Sequence, residues 1–150
     1  MAVTASGLFV QTWINVLDTT QLAIDLDLET HKVAMFTNTI TPDFSSDTAY
    51  GVAPYNANEV SGAAYSAGGT ALLTTTVTES PAGTLMWDAD DTSWAASTIT
   101  NARCALIYAD ALVGNNAIVL VNFGADYSTS AGTFTIQWAA GGVLTVDLTP

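Results

Sequence analysis

The sequence predicts a mainly β chain: a single-domain antiparallel β-sandwich or jelly-roll-like fold with one short N-terminal helix and one long irregular loop. Three observations carry that prediction. Apolar and polar residues alternate over many short runs, the period of strands with one wet face. Turn-forming Gly, Pro, Asn and Asp separate those runs about every ten residues. No helical period follows the first segment. The 150 residues fit one domain without repeat or linker, and such a length buries roughly two-thirds of its unfolded surface without disulfides or metals.

From Ser6 to about Leu17, the residues Phe9, Trp13, Val16 and Leu17 fall at helical spacing, with Ser6 available as the N-cap. The N-terminal helical segment therefore spans about residues 1–20. Leu22, Ile24, Leu26 and Leu28 then alternate with Ala23, Asp25, Asp27 and Glu29, which predicts an extended strand. The run Val33-Ala34-Met35-Phe36 is apolar on both faces, as a central sandwich strand is. Regular patterning stops over residues 38–69, where Pro42, Gly51, Pro54, Gly62, Gly68 and Gly69 accompany Tyr50, Tyr55 and Tyr65. Loops this long are functional or disordered, and three aromatics that need burial or a partner favour an ordered contact loop.

Residues 70–150 read as antiparallel strands and turns. Leu73, Thr75 and Val77 alternate with threonines, Ser80-Pro81-Ala82-Gly83 predicts a turn, and Leu85 and Trp87 begin the return strand. Cys104, Leu106 and Tyr108 face one way, with Arg103, Ala105 and Ile107 the other, before the turn Gly114-Asn115-Asn116 and the apolar run Ala117 to Val121. A last hairpin is expected in which Phe134, Ile136 and Trp138 point inward, Gly141-Gly142 turns the chain, and Leu144, Val146 and Leu148 return.

Charge narrows the function classes. Fourteen acidic residues oppose two basic ones, Lys32 and Arg103, for a net charge of −12. Phosphate neutralisation needs clustered cations, so nucleic acid and anionic membrane surfaces are not expected partners. No run approaches the roughly 18 apolar residues of a membrane helix, and the start of the chain has no basic region followed by an apolar core, so synthesis in a cytoplasm without export is expected. With 49% hydrophobic and 11% charged residues, the exterior must be mostly Thr, Ser, Asn, Gly and Ala, a coat suited to contact with neighbours.

Catalytic reagents are scarce, and no catalytic residue or cofactor is predicted. Cys104 reads as a buried small hydrophobe and His31 as a lone surface residue at a strand start. No G-x-S-x-G elbow or phosphate-binding glycine motif occurs, and Gly68-Gly69 reads as a turn. Asp88, Asp90 and Asp91 are the nearest approach to a hard-cation site, but Ser93 and Ile99 stand where an EF-hand needs Gly and Glu, and a solvated turn is the preferred reading. The candidate interface residues are Phe9, Trp13, Tyr50, Tyr55 and Tyr65.

Longer runs carry a resemblance. Asn58-Glu59-Val60-Ser61-Gly62-Ala63-Ala64-Tyr65-Ser66-Ala67-Gly68-Gly69, Asp88-Ala89-Asp90-Asp91-Thr92-Ser93-Trp94 and Ser97-Thr98-Ile99-Thr100-Asn101-Ala102-Arg103 come first, followed by Val121-Asn122-Phe123-Gly124-Ala125-Asp126 and Gly132-Thr133-Phe134-Thr135-Ile136-Gln137-Trp138. In this order they resemble small structural proteins of tailed bacteriophages, from about Val33 to Leu148. The resemblance implies a virion component made in the host cytoplasm. A capsid decoration or cement protein is expected, binding the major capsid protein and copies of itself as a trimer, with the 38–69 loop and the N-terminal segment as clasping arms. One alternative is a tail-associated or fibre-tip module that contacts a host receptor through Tyr55-Asn56-Ala57-Asn58-Glu59; a lesser one is an acid-based glycan hydrolase.

Overall fold

A computed structural model describes residues 2–80 and 83–149. The chain is mainly β with antiparallel sheets and one short helix. In order, the elements are β1 (Gly7–Leu8), α1 (Val10–Leu17), β2 (His31–Phe36), β3 (Thr70–Ala71), β4 (Thr76–Ser80) and β5 (Thr84–Asp88). They continue with β6 (Thr92–Ser97), β7 (Ala102–Ala109), β8 (Ala117–Tyr127), β9 (Gly132–Ile136) and β10 (Leu144–Asp147). The main sheet runs β1-β8-β7-β2-β3, and two smaller ladders, β10-β5-β4 and β6-β9, complete the strands.

The main sheet is buried on both faces because β2 and β7 are apolar at nearly every position. One face presents Val33, Met35, Ala105 and Ile107 to a core shared with Trp87, Leu144, Trp94, Phe134 and Ile136 of the smaller ladders. The other presents Ala34, Phe36, Cys104, Leu106 and Tyr108 to Val3, Phe9, Ile40 and Tyr55. A sandwich covers only one face of a sheet with its partner sheet, so here the N-terminal segment and the long loop supply the second cover. Each fully buried large side chain in these layers contributes about 1.5–3 kcal/mol. The predicted alternation of Cys104, Leu106 and Tyr108 against Ala105 and Ile107 holds. A register shift between Ala102 and Cys104 puts Ala102 with the Ile107 core.

Two expectations near the N-terminus are corrected. Ser6 does not cap the helix: α1 begins at Val10, preceded by Phe9 without a side-chain cap, and the Ser6 hydroxyl accepts from the Asn122 amide at 2.8 Å. Phe9 and Val10 amides instead donate to the carbonyls of Ile118 and Phe44. Leu22 to Leu28 forms no strand. Asp25 Oδ1 accepts from the amides of Asp27 and Leu28, and the Trp87 indole donates to the Leu26 carbonyl at 2.7 Å. Those bonds occupy groups a ladder would use, although Ile24 and Leu26 still pack on the core.

The last hairpin has the right strands and the wrong pairing. β9 pairs with β6, and β10 pairs with β5. Gly142 explains the divergence: it sits at φ +73°, and any Cβ there would overlap the Trp87 carbonyl, which accepts from the Val143 amide at 2.8 Å. The glycine steers the chain onto β5. In the 70s, the strand begins at Thr76, and Leu73 lies before it, 62% exposed. Pro81 and Ala82 of the predicted turn lie outside the described residues.

Candidate functional site

Helix α1 carries the largest exposed apolar row on a regular element. Its inner side is fixed by Thr12, whose hydroxyl donates to the Ala117 carbonyl at 2.5 Å, and by Trp13, packed on the core. Its outer side shows Val10, Ile14 and Leu17, exposed by 46%, 45% and 83%. Their i, i+4, i+7 spacing aligns them in one stripe. Leu8 and Trp13 extend the stripe into a shallow apolar depression bounded by Asp18. Sequence spacing found the helix but selected Phe9 and Trp13 from it. The hydrophobic spacing of Val10, Ile14 and Leu17 was equally visible; which side faces β8 was not.

The predicted interface aromatics are mostly committed internally. Phe9 and Tyr55 are buried in the second core, where Tyr55 meets both Phe9 and Phe36 edge-on. Tyr65 is also buried. These three are corrected from contact surface to core: the doubly apolar main sheet needs a cover, and their rings provide it. Trp13 and Tyr50 are half-buried. Burial of Tyr55 also removes the exposed ring expected of a receptor-binding Tyr55-to-Glu59 strip.

The loop is held by Glu59. Its carboxylate accepts from Tyr50 OH at 2.9 Å, Tyr65 OH at 2.7 Å and the Gly68 amide at 2.7 Å. Tyr65 oxygen in turn accepts from the Met35 amide at 2.9 Å, and Tyr108 OH donates to the Gly68 carbonyl at 2.9 Å. Tyr50 stacks on Tyr108 with centroids 4.5 Å apart. Burial, then the hydrogen bond and charge of Glu59, push the Tyr50 hydroxyl up to about 12, so it remains a donor. Burial raises Tyr55, Tyr65 and Tyr108 as well. The arrangement clamps residues 38–69 to β2 and β7.

The remaining reagents are also placed. His31 is buried rather than on the surface: its Nδ1–H donates to the Glu29 carbonyl at 2.9 Å, its ring meets Trp87 edge-on at 5.2 Å, and Nε2 has no partner among the described residues. Burial lowers its pKa, opposed by Glu29 and Asp25. Cys104 is a buried free thiol, pushed up to about 12 by burial. Lys32 pairs with Asp110 at 3.1 Å and Arg103 with Asp126 at 3.2 Å.

Asp88 ends β5, and Asp90 and Asp91 lie in the turn before β6. Asp90 accepts from the Thr74 hydroxyl and Asp91 from the Trp138 amide. Among the described residues, no three acidic, His or Cys side chains gather as a metal site. The cleft between β8 and β9 is lined by no carboxylate. Asp25, Asp27 and Glu29 border only a shallow depression, and Asp25 Oδ1 accepts from the Asp27 amide. No family model, no curated protein and no solved structure matches the chain.

Proposed function

We propose that this chain is a structural protein of a tailed-bacteriophage particle, a decoration or cement protein on the outer capsid surface. It binds the major capsid protein and further copies of itself, grouped in threes about a local symmetry axis. The observation that carries this reading is the α1 stripe of Val10, Ile14 and Leu17, an apolar surface left open on an acidic domain. Exposed apolar rows of this kind call for a covering partner. The resemblance of the runs from Asn58 to Trp138 to phage structural proteins supplies the context.

The mechanism is mechanical. Each copy contributes a modest contact, and many copies acting together hold capsomers against the outward pressure of packaged genome. Carboxylates elsewhere on the surface keep packaged DNA and neighbouring particles at a distance. The test is re-addition to stripped particles: the native chain rebinds, whereas Ile14→Ser with Leu17→Ser does not. Equal rebinding by the double variant would remove the helix from the interface.

A further inference from the structure

We propose that the open edge of β9 is a self-association site, at which β9 of a second copy pairs antiparallel and joins two β6–β9 ladders into one continuous sheet. Among the described residues, β9 has a ladder partner on one edge only, β6. A cleft of about 560 Å³ lies against it, and every consecutive residue from Thr133 to Ala139 lines that cleft. A strand's face offers alternate residues, whereas its edge offers all of them, so the cleft runs along the edge. Val121 and Phe123, two positions apart on β8, form the facing wall. An incoming strand would pair with β9 and cover this wall with its side chains.

The direction of the amides agrees. The Trp138 N–H donates to Asp91, on the β6 side, at 3.0 Å. Amides alternate between the two edges of a strand. Those of Phe134 and Ile136 therefore serve β6, and those of Thr133, Thr135 and Gln137 project along the open edge.

The occupant follows from charge. Natural sheet edges are guarded by charged residues, proline or a covering loop. Gly132 to Trp138 contains no charged residue and no proline, and the cleft's one ionisable side chain is Tyr127. On a chain of net charge −12, like-charged copies repel except where carboxylates are absent. This neutral edge is such a place, whereas the open edge of β4 carries Glu79. An antiparallel β9–β9 contact is isologous and closes as a pair. It stands apart from the shell reading, which groups copies in threes, and the two fail separately.

The test is sedimentation of the full chain over a range of concentrations, with amide hydrogen exchange on the same samples. The expected result is a concentration-dependent dimer whose Thr133, Thr135 and Gln137 amides gain protection as it forms. Thr135→Pro, which removes one outward N–H while leaving the β6 ladder intact, should weaken dimerisation about tenfold or more. A chain that stays monomeric, a dimer indifferent to Thr135→Pro, or a dimer in which those amides exchange freely would overturn the proposal. So would an added extended peptide protecting the edge of a chain that does not self-associate. Should Thr135→Pro fail to fold, exchange in the native chain decides.

Discussion

Glu59 shows how one carboxylate orders a long loop. Three donors converge on it, two of them tyrosine hydroxyls whose rings lie in or beside the core. Glu59→Ala leaves those donors without their charged acceptor, and hydrogen bonds to charged groups contribute about 1.5–3 kcal/mol each, non-additively. The expected loss is about 3 kcal/mol in urea unfolding, with faster amide exchange between residues 38 and 69 than in the main sheet. His31 governs an acid limb. Its folded pKa lies below the ordinary value, so below about pH 6.5 the unfolded chain takes up a proton that the folded chain resists. Stability from this residue is therefore full above that pH and falls as pH drops through it. The native melting temperature should fall more steeply between pH 7 and pH 5 than that of His31→Phe; parallel profiles would contradict the assignment. Neither role was legible beforehand: the tyrosines signalled order, but their shared acceptor and the burial of His31 depend on contacts distant in sequence.

At the scale of elements, the sequence announced strands well and their partners poorly. Alternation is local, and Cys104, Leu106 and Tyr108 take the predicted face because side-chain period alone decides it. Pairing is nonlocal. Gly141-Gly142 looks like a hairpin turn, yet the backbone of Gly142 must fit against the Trp87 carbonyl, and that contact sends β10 to β5. Leu22 to Leu28 has strand periodicity but gives its polar groups to Asp25 and Trp87. The helix was legible, though it spans Val10–Leu17 rather than about residues 1–20, and its inward side was set by Thr12 and Ala117. Because Ile14 and Leu17 look outward, Ile14→Ser with Leu17→Ser should change the stability of the isolated chain by no more than about 1 kcal/mol. The same variant should abolish rebinding to stripped particles, and co-sedimentation with those particles measures it. A large loss of stability would instead mark the stripe as core.

For the whole molecule, composition foresaw the balance of forces better than the sites. Both cations are held in ion pairs that are partly solvent-exposed, where such pairs contribute about 0–1 kcal/mol. Twelve negative charges therefore remain uncompensated over the chain, and apolar layers on both faces of the main sheet must outweigh that repulsion. Phe9, Tyr55 and Tyr65, expected to clasp neighbours, instead build this double cover, which leaves α1 and the β9 edge among the neutral places where another chain can approach. Genome release on heating tests whether such contacts reinforce a phage shell. Particles stripped of this protein should release their DNA at a lower temperature than intact ones and recover when the native chain is added back. An unchanged release temperature after complete stripping would contradict the account.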